Sequence, residues 1–313
     1  MTAAPATLVR RLVTVAGWND RPGAPAASGG PGPKRRRPRG AFRLGQYAAL
    51  AVILAMVDLP LLWMVLTSVR PDQDIVQYPP QLVPRSLTLD NFRTLFADGA
   101  FTRYLVNSGL LAVGSTVVTL VLGVFAAYAV ARFGRRFRIA RWFGELSLLA
   151  YLIPGILLLV PIAQLVNGAG LANQPPVLIV LYAAHMLPFA IWVLRSYFRG
   201  ETVDLEEAAM VDGCSRFGAL RRVVLPQALP GLVSTGVFVF NMAWSEYMFA
   251  ATFLTEQSKL TLSVGVSNLL DETGVNSWGL IMAAGVVTVL PPLILYVLAQ
   301  RRLVEGLGEG AVR

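Results

Sequence analysis

Two stretches of this sequence carry residues whose types and spacing can do chemistry. The first lies in an apolar run and holds Asn241, Trp244, Glu246 and Tyr247. A carboxylate flanked by aromatic faces suits a sugar, whose hydroxyls hydrogen-bond and whose C–H faces stack on rings. The other role open to Glu246 is a structural polar contact with another span or with a partner subunit, because charges at membrane depth face a cavity or a partner. Asp58 is the other acidic residue deep in an apolar run and is expected to be structural or paired. His185, the sole histidine, is expected to pack between helices. Cys214, the sole cysteine, excludes an internal disulfide and serves as a small spacer beside a glycine.

The second stretch runs from Glu201 to Pro226 and reads as a short helix, a glycine turn and a second short helix closed by proline. Asp204, Glu206 and Glu207 fall in the first turns, where acids oppose the positive end of the helix dipole. Ala208 and Ala209 make a shallow face that another protein can approach, followed by Asp212. Gly213 permits the positive φ of a reversal. Arg221 and Arg222 sit near the second helix's C-terminal end, ahead of Leu225 and Pro226.

Catalysis finds little support. An intramembrane protease needs Ser with Lys or His, or paired Asp, inside the spans. A phosphate-cradling loop needs G-K-[S/T], but Lys34 and Lys259, the only lysines, are followed by Arg and Leu. No metal-ligand cluster is evident.

The elements that must position these residues are membrane helices. Of 313 residues 55% are apolar and 14% charged, too little charge to cover a soluble domain of this size. The apolar residues gather in runs long enough to cross ~30 Å of hydrocarbon. Six spans are predicted near 44–69, 105–131, 142–165, 176–198, 229–254 and 278–300; the first reaches about 39 Å, enough to cross with tilt. Pro60, Pro154, Pro161 and Pro188 interrupt spans and are expected as tolerated kinks. The fold class is therefore all-α and polytopic. The first apolar run starts after residue 43 and is too long for a signal-peptide core, so no cleavable leader is expected.

Of 27 Lys and Arg, 22 fall on the side that holds both termini and 5 on the other, which places both termini in the cytoplasm. Residues 1–43, rich in Pro, Gly and Ala and ending near Lys34-Arg35-Arg36-Arg37-Pro38-Arg39, are expected to form a disordered basic tail that rests on anionic lipid and binds no nucleic acid. The membrane domain covers 44–300, with a cytoplasmic loop at 199–227, and a short tail covers 301–313. The 70–104 loop, with balanced charge and Pro79-Pro80, is expected to pack over the outer mouth.

The second stretch also carries a resemblance. E-A-A, three residues, G, nine residues, an aliphatic, any residue, then L-P is the signature loop of permease subunits in bacterial ABC importers, and Glu207, Ala208, Ala209, Gly213, Val223, Leu225 and Pro226 match it without a gap. The chain further resembles the MalG-type permeases of carbohydrate importers. The similarity lies at Asn107-Ser108, at Ala126-Ala127-Tyr128-Ala129 with Arg132, at Leu187-Pro188-Phe189, and at Trp244-Ser245-Glu246-Tyr247, where Ser245 departs from the family's Asn. It extends to the end from Ala299 to Leu307, after which the family's threonine is absent and Arg313 replaces a lysine. The resemblance implies a type I (MetI-like) fold and a role without catalysis in the bacterial inner membrane. It implies that the loop is a coupling helix docking on a separate ATPase, through Glu207, Ala208, Ala209, Asp212, Gly213, Leu225 and Pro226. It implies as partners a second, MalF-like permease, two ATP-binding subunits that hold ATP and magnesium, and an external sugar-binding protein, with no cofactor in this chain. Alternating access follows from the same likeness. A polyol or glycerol phosphodiester is the alternative substrate. An ion-driven secondary transporter is the alternative class, against which six spans and one histidine argue.

Overall fold

The computed structural model describes residues 39–75, 77, 86–97, 99–134, 136–199, 202–273 and 277–310. The expected tail up to residue 38, with Lys34–Arg37, lies outside the described residues, as do Pro79-Pro80 and the last three residues. The chain divides into two compact units, Met1–Met56 and Val57–Arg313. The described part of the first is helical throughout; the second contains the rest. Among the described residues there is no strand.

Helix α1 spans Arg39–Ser68, beginning five residues before the predicted span, and carries Pro60 inside it. Two short helices follow, α2 (Asp72–Ile75) and α3 (Asp90–Ala97). Both are held by hydrogen bonds: Asn91 Nδ2 donates to the carbonyls of Ser68 (2.9 Å) and Arg70 (2.8 Å), and the Gly279 amide donates to Asp72 Oδ1 (3.0 Å).

Helices α4 (Ala100–Phe133) and α7 (Pro175–Tyr197) are the second and fourth spans and pack along one another. Small residues allow it: a Cβ on Gly123 would lie 3.3 Å from Ala190 Cβ, the close backbone approach that replaces hydrophobic drive between membrane helices. Helix α14 (Trp278–Gly310) is the sixth span and runs unbroken past residue 300, with Pro291 and Pro292 inside it.

The third and fifth spans differ from the continuous helices predicted for them. Residues 142–165 divide into α5 (Arg138–Tyr151) and α6 (Gly155–Gly168), and the Trp142–Tyr151 stretch is bent 96° from α6. Pro154 sits at the break with an extended ψ of 128°, and its missing N–H removes a helical bond there. The fifth span starts as α11 (Leu229–Trp244), whose 16 residues reach only about 24 Å, then breaks at Ser245–Tyr247 and resumes as α12 (Met248–Phe253). Four helices are long and apolar enough to cross a membrane outright; the count rises to at most six if two bent pairs, Trp142–Tyr151 with Gly155–Gly168 and Arg216–Gln227 with Leu229–Trp244, are each one span.

Between α7 and α11 lie α8 (Thr202–Val211), α9 (Arg216–Ala219), a π-helical stretch Leu220–Val224, and α10 (Leu225–Gln227). A 75° bend at Ala228 turns this run into α11. Helix α13 (Leu262–Thr273) precedes α14. One apolar core joins α4, α7, α12, α13 and α14; a second, around Tyr128, Leu194, Phe198, Leu220 and Val224, seats the π-helical stretch on the ends of α4 and α7.

Candidate functional site

The segment between α7 and α11 forms a knuckle with two differently held halves. In α8 only Asp204 of the three acids occupies the first turn, where it opposes the dipole. Glu207, Ala208, Asp212 and Gly213 are exposed and Ala209 is half-buried. The helix ends in a Schellman turn. The Gly213 amide donates to the Met210 carbonyl (3.1 Å) and the Cys214 amide to the Ala209 carbonyl (3.0 Å), while Gly213 takes φ +90°. Cys214 is a half-buried free thiol just after the glycine. Ser215 then caps α9 by accepting from the Gly218 amide at 3.1 Å. Leu225 packs against the second core while Pro226 is exposed.

Glu206 behaves unlike its neighbours. It is buried at 2% exposure; its Oε2 accepts from Arg132 Nε at 2.5 Å and its Oε1 from the Tyr128 hydroxyl. Arg132 also donates to the Phe198 carbonyl. The local pattern of acids had assigned Glu206 to the dipole. The signal that finds its true place is Tyr128 and Arg132, four residues apart on one face of an apolar helix. An open groove of about 740 Å³ beside this contact is lined by Arg195, Arg199, Arg216, Glu145, Asp204 and Glu207 among others. Along the exposed side, Leu205, Val211 and Phe217 present apolar surface, Val211 at 88% exposure.

The intramembrane candidates are divided by the break in the fifth span. Ser245 stops α11 by donating its hydroxyl back to the Asn241 carbonyl (2.8 Å). Glu246 then starts α12: its carboxylate accepts from the amides of Phe249 (2.8 Å) and Ala250 (3.1 Å) and from the Tyr182 hydroxyl (2.6 Å). These donors are the orphan amides of a helix start, so the carboxylate serves as a cap. Trp244 is buried, donates Nε1–H to the Thr288 carbonyl (3.1 Å) and stacks on Phe240 at 5.8 Å. Asn241 and Tyr247 are exposed.

Two cavities flank the break. One of about 370 Å³ is walled by Tyr182, His185, Glu246 and Tyr247. The other, about 700 Å³, is walled by Asn241, Trp244, Thr288 and Tyr296. The structure thus brings Glu246 and Tyr247 together and sets Asn241 and Trp244 apart from them, with Ser245 on both walls. His185 is half-buried beside the Tyr151 ring, 6.1 Å between centroids, and joins the smaller cavity that sequence alone had not connected to it. Asp58 is exposed, and among the described residues no hydrogen bond or ion pair holds its carboxylate. No group of three His, Cys, Asp or Glu among the described residues could hold a metal ion.

Comparison with known proteins places these features in context. The family described as "Binding-protein-dependent transport system inner membrane component" matches residues 119–308, a stretch that includes Tyr128, Arg132, the knuckle and the break at Glu246. An inner membrane ABC transporter permease protein of Escherichia coli, YcjP, is 36% identical over 273 residues, covering 87% of this chain and 96% of that protein. The trehalose transport system permease protein SugB of Mycobacterium tuberculosis is 34% identical over 279 residues, covering 88% and 99%. A chain from the crystal structure of a bacterial ABC transporter involved in import of the acidic polysaccharide alginate superposes with a TM-score of 0.73 at 21% identity, covering 84% of this chain and 96% of that one.

Proposed function

Because this chain belongs to the binding-protein-dependent transport system inner membrane component family, whose members are non-catalytic permease subunits of ABC transporters, we propose that it is the permease of a sugar importer and forms half of the pathway. A second permease supplies the other half. Of two ATP-binding subunits, one docks on this chain's knuckle, and an external binding protein delivers the sugar. ATP and magnesium reside on the ATPase partners. The Arg-rich end that carries Arg132 and Arg199 faces the cytoplasm, with both termini, in a bacterial inner membrane.

One observation carries the coupling role. Glu207 and Ala208 lie exposed on a short helix that ends in a left-handed turn at Gly213, a shape that offers a partner a small-residue face and a fixed reversal. Docking there would push on α11 through the buried Leu220 and Val224, and the bundle would alternate between inward and outward openings. The sugar assignment rests on the likeness to permeases such as the trehalose protein. Within the membrane, Asn241 and Tyr247 offer exposed faces to the sugar path, while Trp244 and Glu246 shape the wall behind them.

The test is purification from native membranes under mild conditions. The expected co-purifying chains are a second permease and an ATPase, with ATP hydrolysis stimulated by one sugar together with its binding protein. Glu207→Arg is expected to abolish uptake while the chain stays in the membrane. Normal uptake by Glu207→Arg, or ATP-independent uptake by this chain alone, overturns the proposal.

A further inference from the structure

We infer that Arg132, Glu206 and Tyr128 form a pin through which movement of the knuckle reaches the second and fourth spans; the inference rests on the coupling role proposed above. The geometry begins with how α8 is held. Among its described side chains Glu206 alone is buried; Leu205, Glu207, Ala208 and Val211 are exposed, and Val203, Ala209 and Met210 are half-buried. The second half of the knuckle is held differently, by Ala219, Leu220 and Val224 buried at 3% exposure or less. One half is seated by apolar packing, while the one described buried side chain of the other makes a polar contact.

That contact joins three elements. Glu206 belongs to α8, Tyr128 and Arg132 to α4, and Phe198 is the residue that follows α7. The Arg132 guanidinium reaches both the Glu206 carboxylate and the Phe198 carbonyl, so one cation fastens α8 to the ends of two spans. It also stands 5.5 Å from the Tyr128 ring centroid, and the Tyr128 ring packs edge-on to Phe198. A helix C-terminus leaves carbonyls unmatched and carries partial negative charge, which suits an arginine there. Arg132 and Glu206 side chains are 8% and 3% exposed. A buried ion pair of this kind adds little net stability compared with apolar packing, and its best-attested value is directional register.

Two routes therefore leave the knuckle. The covalent one runs through Leu220–Val224 into α11. The ionic one runs through Glu206 into α4 and α7. Without the pin, a push on α8 would reach the second and fourth spans only indirectly, through the apolar seat of Leu220 and Val224 on Leu194 and Phe198. Arg132, Glu206 and Tyr128 are thus positioning residues. They touch no substrate.

The experiment uses the whole transporter, this chain with its partner permease, ATPases and binding protein, in vesicles where uptake and ATP hydrolysis are measured together per assembled complex. Glu206→Ala and Arg132→Ala are expected to lower sugar taken up per ATP at least tenfold. Glu206→Gln, which keeps an oxygen within reach of Tyr128 and Arg132, is expected to recover at least half of the wild-type ratio, a rescue that general loss of fold would not produce. Should Glu206→Ala not assemble, the double variant Tyr128→Phe/Glu206→Gln carries the test, with a fivefold loss expected. A ratio within twofold of wild type in the assembled variant overturns the pin. Glu207→Arg in the same vesicles separates the two ideas. If it leaves uptake intact the coupling role itself falls, and if it abolishes uptake while the Glu206 variants stay fully coupled only the pin falls.

Discussion

Gly213 allows the knuckle to be tested with backbone strain isolated from crowding. The residue sits at φ +90°, and a Cβ built there meets nothing within 4 Å. Any cost of replacing it within this chain is therefore conformational. A left-handed conformation costs an ordinary L-residue roughly 1–2 kcal/mol, less for Asn, whose short side chain bonds locally. At 1.4 kcal/mol per factor of ten, this shifts the equilibrium away from the turn by about 5- to 30-fold. Ala belongs near the lower figure and β-branched Val at or above the upper one. Proline is worse: it locks φ near −65° and removes the amide that donates to the Met210 carbonyl, together about 3 kcal/mol or more. The expected order of uptake, per chain present in the membrane, is Gly, then Asn, Ala, Val and Pro, with the last two reduced at least tenfold. The assay is the initial rate of labelled-sugar uptake, normalised by immunoblot. Asn and Ala are the decisive pair. Asn is the larger side chain but the better left-handed residue, so Asn below Ala would mean that crowding against a docked partner, not φ, sets the cost. Equal rates in all five would mean that the turn transmits nothing.

Three further outcomes follow from particular contacts. Tyr182→Phe removes one charge-assisted hydrogen bond to Glu246 and is expected to cost about 1.5–3 kcal/mol. The double variant with Glu246→Ala should show a coupling energy of about 1 kcal/mol or more by thermal unfolding of the solubilised complex, and strict additivity would refute the bond between Tyr182 and Glu246. Asn107 Nδ2 donates to the carbonyls of Ser258 and Leu260, each at 3.0 Å, so Asn107→Ala is expected to cost about 1–2 kcal/mol and to raise hydrogen exchange locally in 258–262; unchanged exchange there refutes it. Glu256 lies between Lys259, Ser258 and Asn173, and their hydrogen bonds, Lys259 first, hold its carboxyl below the usual 4.5. Because the folded form favours the ionised group, its stabilisation is complete above that value and disappears as pH falls through the depressed one. The melting-temperature gap between wild type and Glu256→Gln should close over that acid range, and a constant gap would discount the cluster.

Hydropathy located the second and fourth spans closely, 105–131 against Ala100–Phe133 and 176–198 against Pro175–Tyr197. It could not see the breaks in the third and fifth, because a break replaces backbone hydrogen bonds without changing apolar content. At Ser245–Tyr247 the lost helical bonds are returned by the Glu246 carboxylate, whose third donor, Tyr182, lies 64 residues away. Gly213 was legible from spacing alone, since a turn that needs positive φ is a local matter. Glu206 was not. Adjacent residues on a helix point about 100° apart, so with Glu207 outward Glu206 turns toward the bundle, but what awaits it there, Arg132, is 74 residues distant. Likewise His185 joined Glu246 only once α7 packed beside the break.

The polar groups inside the spans then sort by how they are satisfied. Ser115, Thr116 and Thr288 donate back into their own helices. Trp244 and Glu246 are satisfied by contacts between helices of this chain. Each of these is complete without a partner. Asp58 is not: it lies exposed among Leu59, Leu61 and Leu62, themselves 64%, 46% and 61% exposed. An acidic side chain at the centre of a span costs roughly 2.5–3.5 kcal/mol on insertion scales when only lipid surrounds it, and lipid tails return none of that. In the assembly proposed above, a second permease would return it by offering a donor across the membrane. The same division holds at the knuckle, where Glu206 is satisfied within the chain while Glu207, one residue on, is exposed. In the proposed assembly Asp58 and Glu207, both exposed, are open to contact by other subunits.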